Sequence, residues 1–217
     1  MSLNCGCPAG AHIADLDNVA CKEGLGQIQK LLFQRRYKTA GTLNSVADPE
    51  TKASWTTLLS AADGSKVTVS PEVYEPTTEV GASRTYGSGN QVLGGVPIVL
   101  GREATSFTGT FYEVAQSIIK QMKTYECEDI AVYLIDENGN IGALSTAGDG
   151  TAAEISPIPV RSFFVGDKNL GGFDEPDSND INFSFLPNWS DNLVIVKRDT
   201  MDFNPLTDLI NAASAEE

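Results

Sequence analysis

By residue type, Cys5, Cys7, His12 and Cys21 are the side chains best suited to chemistry in this sequence. Three thiols and an imidazole near one end could surround zinc. The diagnostic zinc pattern, however, is two separated C-x-x-C pairs, and Cys5-Gly6-Cys7 is a C-x-C. Reduced thiols on a turn-rich segment are therefore the favoured reading. Pairing of Cys5 and Cys7 with Cys21 or Cys127 in an oxidising environment stays open. Cys127 precedes a core-type apolar run and is expected to be a small buried hydrophobe. His12 is the only histidine and sits among Gly and Pro. Ser-His-Asp or Cys-His catalysis would need that one ring held rigidly beside a nucleophile. No catalytic, cofactor-binding or metal-ligating residue is assigned, and the chain is not expected to be an enzyme.

Other clusters yield little more. Asp167, Asp174, Glu175, Asp177 and Asp180 could gather around calcium, but their spacing lacks the EF-hand order, so a solvated acidic loop is expected. Gly87-Ser88-Gly89 and Gly94-Gly95 follow no apolar strand, precede no helix and lack the Gly-Lys-Ser/Thr of a phosphate loop. Among 29 acidic residues, no carboxylate pair can be singled out for glycoside chemistry. Asn182-Phe183-Ser184 and Asn188-Trp189-Ser190 are formal glycosylation sequons, read as accidental because no signal peptide is visible; synthesis in a cytoplasm is expected. Arg35-Arg36 with Lys38 is the only basic cluster, and it is expected to meet an acidic surface such as another copy of the chain.

Charge narrows the partners. The 217 residues carry 15 Lys+Arg against 29 Asp+Glu, a net of −14, which disfavours nucleic-acid binding by counterion release. The longest apolar runs, Ile130 to Ile135 and Val92 to Leu100, fall far short of the roughly 20 residues of a spanning helix.

The elements that would position these residues follow from periodicity and turn chemistry. Gly26 to Tyr37 fits either a helix or a strand, and the glycines before it and the aromatic finish favour a strand. Asp48 as N-cap, Pro49 at the first position and Ala53, Trp55, Leu58, Leu59 and Ala62 predict a helix over 49–62. Lys66 to Ser70 reads as a strand. Glu72 to Gly95 reads as one long loop, either disordered or functional. Val96 to Leu100 and Thr105 to Phe111 read as strands, and Glu113 to Met122 as a second amphipathic helix. Two apolar runs, Ile130 to Ile135 and Ile141 to Leu144, flank Asn138-Gly139 and predict a β-hairpin. Val160 to Val165, Asn182 to Leu186 and Leu193 to Val196 complete the strands. Gly166 to Asn182 is acidic and turn-rich, and Asn204-Pro205 opens a short helix through Ile210. Helices do not alternate with strands as in a parallel α/β sheet, so the expected class is mainly antiparallel β with one or two helices packed on it.

This layout resembles the tail-tube (major tail) proteins of long-tailed bacteriophages and the tubes of contractile injection systems. The helix Glu113 to Met122, the long loop Glu72 to Gly95 and an arm Met1 to Cys21 carry the resemblance. So do the hairpin Ile130 to Leu144 and the strands Val160 to Val165 and Leu193 to Val196. Gly166 to Phe173 and Pro187-Asn188-Trp189 look like virion proteins of phages of gut Bacteroidetes. The resemblance implies a β-sandwich or barrel (α+β) with a flanking helix, a long loop and an N-terminal arm, residues 1–25 being the arm and 26–217 one domain. It further implies a virion structural protein that self-assembles into stacked hexameric rings, a DNA conduit without specific DNA binding, meeting other tail or neck proteins and no membrane. The alternatives are a head-tail connector or tail-terminator ring and, less favoured, a metal-binding enzyme or ligand module.

Overall fold

The structure is a computed structural model, and it describes residues 24–39, 41–148 and 151–211. Strand β1 (Ile28–Arg35) is followed by the short strands β2 (Tyr37–Thr39), β3 (Thr42–Leu43) and β4 (Val46–Ala47), helix α1 (Lys52–Leu59) and β5 (Val67–Val69). Next come β6 (Tyr74–Glu79), β7 (Ser83–Tyr86), β8 (Ile98–Arg102), β9 (Thr105–Tyr112) and helix α2 (Gln116–Lys123). Strands β10 (Ile130–Asp136), β11 (Ile141–Ser145), β12 (Glu154–Ser156), β13 (Ile158–Val165), β14 (Ser178–Phe185) and β15 (Leu193–Val196) lead to a one-turn helix α3 (Pro205–Asp208). The class is mainly antiparallel β with few helices, as the sequence implies.

β10 organises the molecule because both its faces are covered. All seven of its residues are buried. A strand's side chains alternate between faces. Ile130, Val132 and Leu134 enter one core with Leu31 and Phe33 of β1, while Tyr133 and Ile135 enter the other with Leu32. That two-sided burial is why β10 reads as a continuous apolar run rather than an alternating one. β1 pairs with β10 along its length, Leu31 opposite Leu134 and Phe33 opposite Val132. On the other edge β10 divides its pairing, Ala131 and Val132 with β13 and Leu134 and Ile135 with β11.

The first core fills a curled sheet of order β1-β10-β13-β14-β9-β6. The curl comes back on itself where the Val73 amide donates to the Gln29 carbonyl at 2.7 Å and the Ser70 amide to the Leu31 carbonyl at 2.8 Å. Inward residues of β9 and β14 alternate cleanly, Phe107 and Phe111 facing Ile181, Phe183 and Phe185. Phe107 and Phe183 stack with centroids 4.7 Å apart. Gly109 is required where Val73 crosses this lining, because a Cβ there would meet Val73 Cγ1 at 2.5 Å. Ile119 and Met122 of α2 pack against the same core.

The second core lies on the outer side of β1 and β10. Trp55 and Leu59 of α1 meet Tyr133, Ile141, Ile155 and Val194 there. The Trp55 indole donates to the Pro49 carbonyl at 2.9 Å and sits edge-on to Tyr133 at 5.2 Å. The Tyr133 hydroxyl donates to Gln34, whose amide donates to the Ser65 carbonyl. Complete burial pushes the Tyr133 phenol well above its ordinary pKa. In the β10–β11 turn the buried Asp136 carboxylate accepts from the amides of Gly26, Asn138 and Asn140 and from the Asn140 side chain, at 2.8 to 3.0 Å.

Several expectations need correction. The helix expected over 49–62 spans only Lys52–Leu59. Asp48 is not its N-cap: it adopts φ 52°, and its carbonyl accepts from the Thr51 amide in a preceding turn. The free Lys52 amide is satisfied instead by Asp202, 150 positions away. The second helix starts at Gln116 rather than Glu113. The β9–β14 pairing runs on until the Glu113 amide donates to Asp177, and Glu113 at φ 52° then turns the chain. Val114 packs on the core from outside the helix, and Ile118 faces solvent. The segment Glu72 to Gly95 is not one loop, since β6 joins the curled sheet beside β9 and β7 opens a separate hairpin. β14 begins at Ser178, inside the stretch read as turns, and α3 stops at Asp208, short of Ile210.

Candidate assembly surface

The described residues suited to chemistry do not converge. Cys5, Cys7, His12 and Cys21 lie outside the described residues, with most of the expected arm. Cys127 is exposed, not buried, because it ends the 3-10 turn between α2 and β10 instead of entering the strand. The acidic residues disperse into separate contacts. Asp167 pairs with Lys123, Asp177 accepts from the Gly171 amide at 3.0 Å and lies 3.4 Å from Lys168, and Asp180 accepts from Thr110. No group of three or more His, Cys, Asp or Glu is placed to hold a metal among the described residues. Arg35 pairs with Glu128 at 2.6 Å and Lys38 with Asp63 at 3.5 Å, while Arg36 lies 5.1 Å from the Tyr37 ring centroid. The basic cluster is thus partly neutralised within its own chain. Asn182 lies within β14, and Asn188 in the turn after it.

Two cavities open at the surface. One of about 670 Å³ is bordered by Gln34, Lys66, Tyr125 and the Arg35–Glu128 pair. The other, about 560 Å³, enters the curled sheet between β1 and β6, past Leu25, Val80, Phe185 and Trp189. No helix among the described residues is long and apolar enough to cross a membrane.

The anomaly is the hairpin β7–β8. Among the described residues its strands pair only with each other, Ser83 opposite Arg102 and Tyr86 opposite Ile98. Tyr86, Val96, Ile98, Val99 and Leu100 are exposed, and Leu93 at the tip is fully so. Ile98 and Val99 point to opposite faces, and Leu100 stands at the bulge opposite Arg84 and Thr85, so apolar side chains are open to water on both faces of the hairpin. The glycine clusters shape its tip, with Gly87, Gly89, Gly94 and Gly95 all at positive φ around two 3-10 turns. They give the chain a reversal that residues with a Cβ resist, not a phosphate cradle. A lone two-stranded hairpin is at best marginally stable in water, and an exposed apolar patch of this kind marks an interaction surface. The sequence located the glycines and the apolar run Val96 to Leu100. Only the structure shows the run uncovered.

No protein-family model matches the chain, nor does any curated protein. Solved structures that match the chain in part include a chain in the tail of an empty gene transfer agent particle refined with C6 symmetry. It is 11% identical, with 58% of this chain and 81% of that chain covered at a TM-score of 0.32. A chain in the virion of the native gene transfer agent particle is 13% identical, with 57% and 84% covered at 0.32. A chain in the baseplate of the anti-feeding prophage is 7% identical, with 82% and 97% covered at 0.35. These chains come from a tail, a virion and a baseplate. At such identities and TM-scores the likeness settles neither role nor assembly.

Proposed function

We propose that this protein is a structural virion protein of a phage tail, one that assembles with copies of itself into hexameric rings stacked as a tube through which DNA passes. The observation that carries the reading is the β7–β8 hairpin, a two-stranded arm with exposed apolar side chains and, among the described residues, no strand of its own chain paired with it. Such an arm stabilises an assembly by being ordered and buried against a neighbour. The net charge of −14 suits a conduit, since an acidic wall does not retain a polyanion. In this reading residues 1–25 are an arm, 26–217 one domain, and the other partners are tail or neck proteins.

Negative-stain microscopy and sedimentation of the purified protein across a concentration series test this. Wild type is expected to form tubes, and a chain with residues 83–102 replaced by a short Gly-Ser linker to remain a folded monomer. Single closed rings would replace the tube by a connector or terminator. Wild-type monomers at every concentration would overturn self-assembly.

A further inference from the structure

The two ends of the β9–β14 pair differ in chemistry. The β7–β8 hairpin springs from the start of β9, where the Glu103 amide donates to the Ala82 carbonyl at 2.9 Å. Residues 83–102 include Arg84 and Arg102 and no acidic residue, in a chain of net charge −14. At the far end, where Tyr112 pairs with Ser178, the loop between β13 and β14 carries four carboxylates, Asp167, Asp174, Glu175 and Asp177, against one lysine. Asp174 and Glu175 stand exposed there beside Leu170 and Phe173, and Phe173 is fully open to water.

This loop is braced. Asn169 and Ser178 exchange backbone hydrogen bonds at 2.8 and 3.0 Å, and Asp177 accepts from the Gly171 amide. Gly171 packs so closely on Glu175 and Pro176 that a Cβ would run into their backbone. The tip is therefore held shut with its phenyl ring outward. Carboxylates of the loop and of the neighbouring strands crowd this end of the sheet: the Tyr112 phenol is raised first by burial and then by Glu75 of β6, Glu175 of the loop and Asp180 of β14.

We infer that the β13–β14 loop of one copy docks on the β7–β8 hairpin of the next, Leu170 and Phe173 covering its apolar face and Asp174 and Glu175 meeting Arg84 and Arg102. Within one chain the two surfaces cannot meet. Eight residues of β9 at about 3.3 Å each hold them about 25 Å apart. An apolar and basic surface at one end and an apolar and acidic one at the other make a head-to-tail contact, which repeats instead of closing as a two-fold dimer. The inference rests on the self-assembly reading and adds the surface that receives the arm.

The test is a charge exchange, scored by the critical assembly concentration in sedimentation, with thermal melts confirming that each variant is folded. Arg84→Glu with Arg102→Glu, and separately Asp174→Lys with Glu175→Lys, are each expected to raise that concentration by about tenfold or more, and the combined chain to recover wild-type assembly. Phe173→Ser, at a site with no core contact to lose, is expected to weaken assembly at an unchanged melting temperature. If wild type assembles and hairpin replacement blocks it, yet Phe173→Ser and the Lys pair assemble as wild type, the loop is not the acceptor and self-assembly stands. If wild type never assembles, both readings fall.

Discussion

The two hairpins β10–β11 and β7–β8 are built alike and placed oppositely. Both pair two antiparallel strands, one of them rich in Ile, Val and Leu: β10 in the first and β8 in the second. In the first, every residue of β10 is buried and four of the five in β11 are. In the second, every residue of β7 is exposed and only Gly101 of β8 is less than exposed. Strand composition is therefore not what separates core from arm. β10 is stabilised by two layers of its own chain, whereas β7–β8 offers the same kind of surface to water. Apolar area withheld from the monomer is area available to an assembly, at about 25 cal/mol per Å² before ordering costs.

The sharpest way to break this comparison is to truncate one large apolar side chain in each region. Trp55→Ala opens a hole beneath Tyr133 and is expected to destabilise the folded chain by about 3–5 kcal/mol in urea unfolding. Leu100→Ala in the exposed hairpin is expected to stay within about 0.5 kcal/mol of wild type in the same measurement. Equal losses at the two sites would mean that the hairpin packs on its own chain.

What the sequence made legible follows the same division. The β10–β11 hairpin was readable because its signals are local, an Asn-Gly turn between apolar runs. β6 was not, because five residues of Tyr74–Glu79 are exposed, and its strand geometry comes from β9, as in the 2.6 Å Thr77–Thr108 hydroxyl contact across the pair. The start of α1 was misplaced because its first free amide is met by Asp202, which no local pattern could reveal. Cys127 was misread because proximity to β10 in sequence is not membership of it. The candidate surface was half visible. Glycine spacing announced a reversal at 87–95, but whether Val96 to Leu100 would be covered depends on strands far along the chain.

A second, smaller effect sits in the turn that makes the buried hairpin rigid. Asp136→Ala removes the acceptor for the Gly26, Asn138 and Asn140 amides at once. Stranding donors in a protein costs about 1–3 kcal/mol, so unfolding stability should fall by that order. Hydrogen exchange at the Asn138 and Asn140 amides should quicken more than at Leu134, whose pairing with Gly142 is untouched. An unchanged exchange pattern would show that water replaces the carboxylate without loss.

The smallest effect lies in the braced loop, and it is read by pH. The Asp177 carboxyl is lowered from its ordinary pKa, first by the Gly171 amide and then by Lys168, against a smaller opposing effect of burial. Because the folded pKa is depressed, the stabilisation is present above the ordinary carboxylate range and is lost as pH falls through that range and the lowered folded value. Asp167 beside Lys123 and Asp63 beside Ser65 are lowered in the same sense. Asp63 and Asp167 are exposed and Asp177 is only half-buried, so each contribution is small and weakened by salt. Unfolding midpoints should therefore decline from neutral pH into the acid range, and Asp177→Asn should flatten that decline slightly without moving the neutral midpoint as far as Asp136→Ala does. Were Asp177→Asn to steepen the acid decline instead, the Gly171 contact would not be what lowers the carboxyl, and the loop's closure would rest on Gly171 packing and the Asn169–Ser178 backbone bonds.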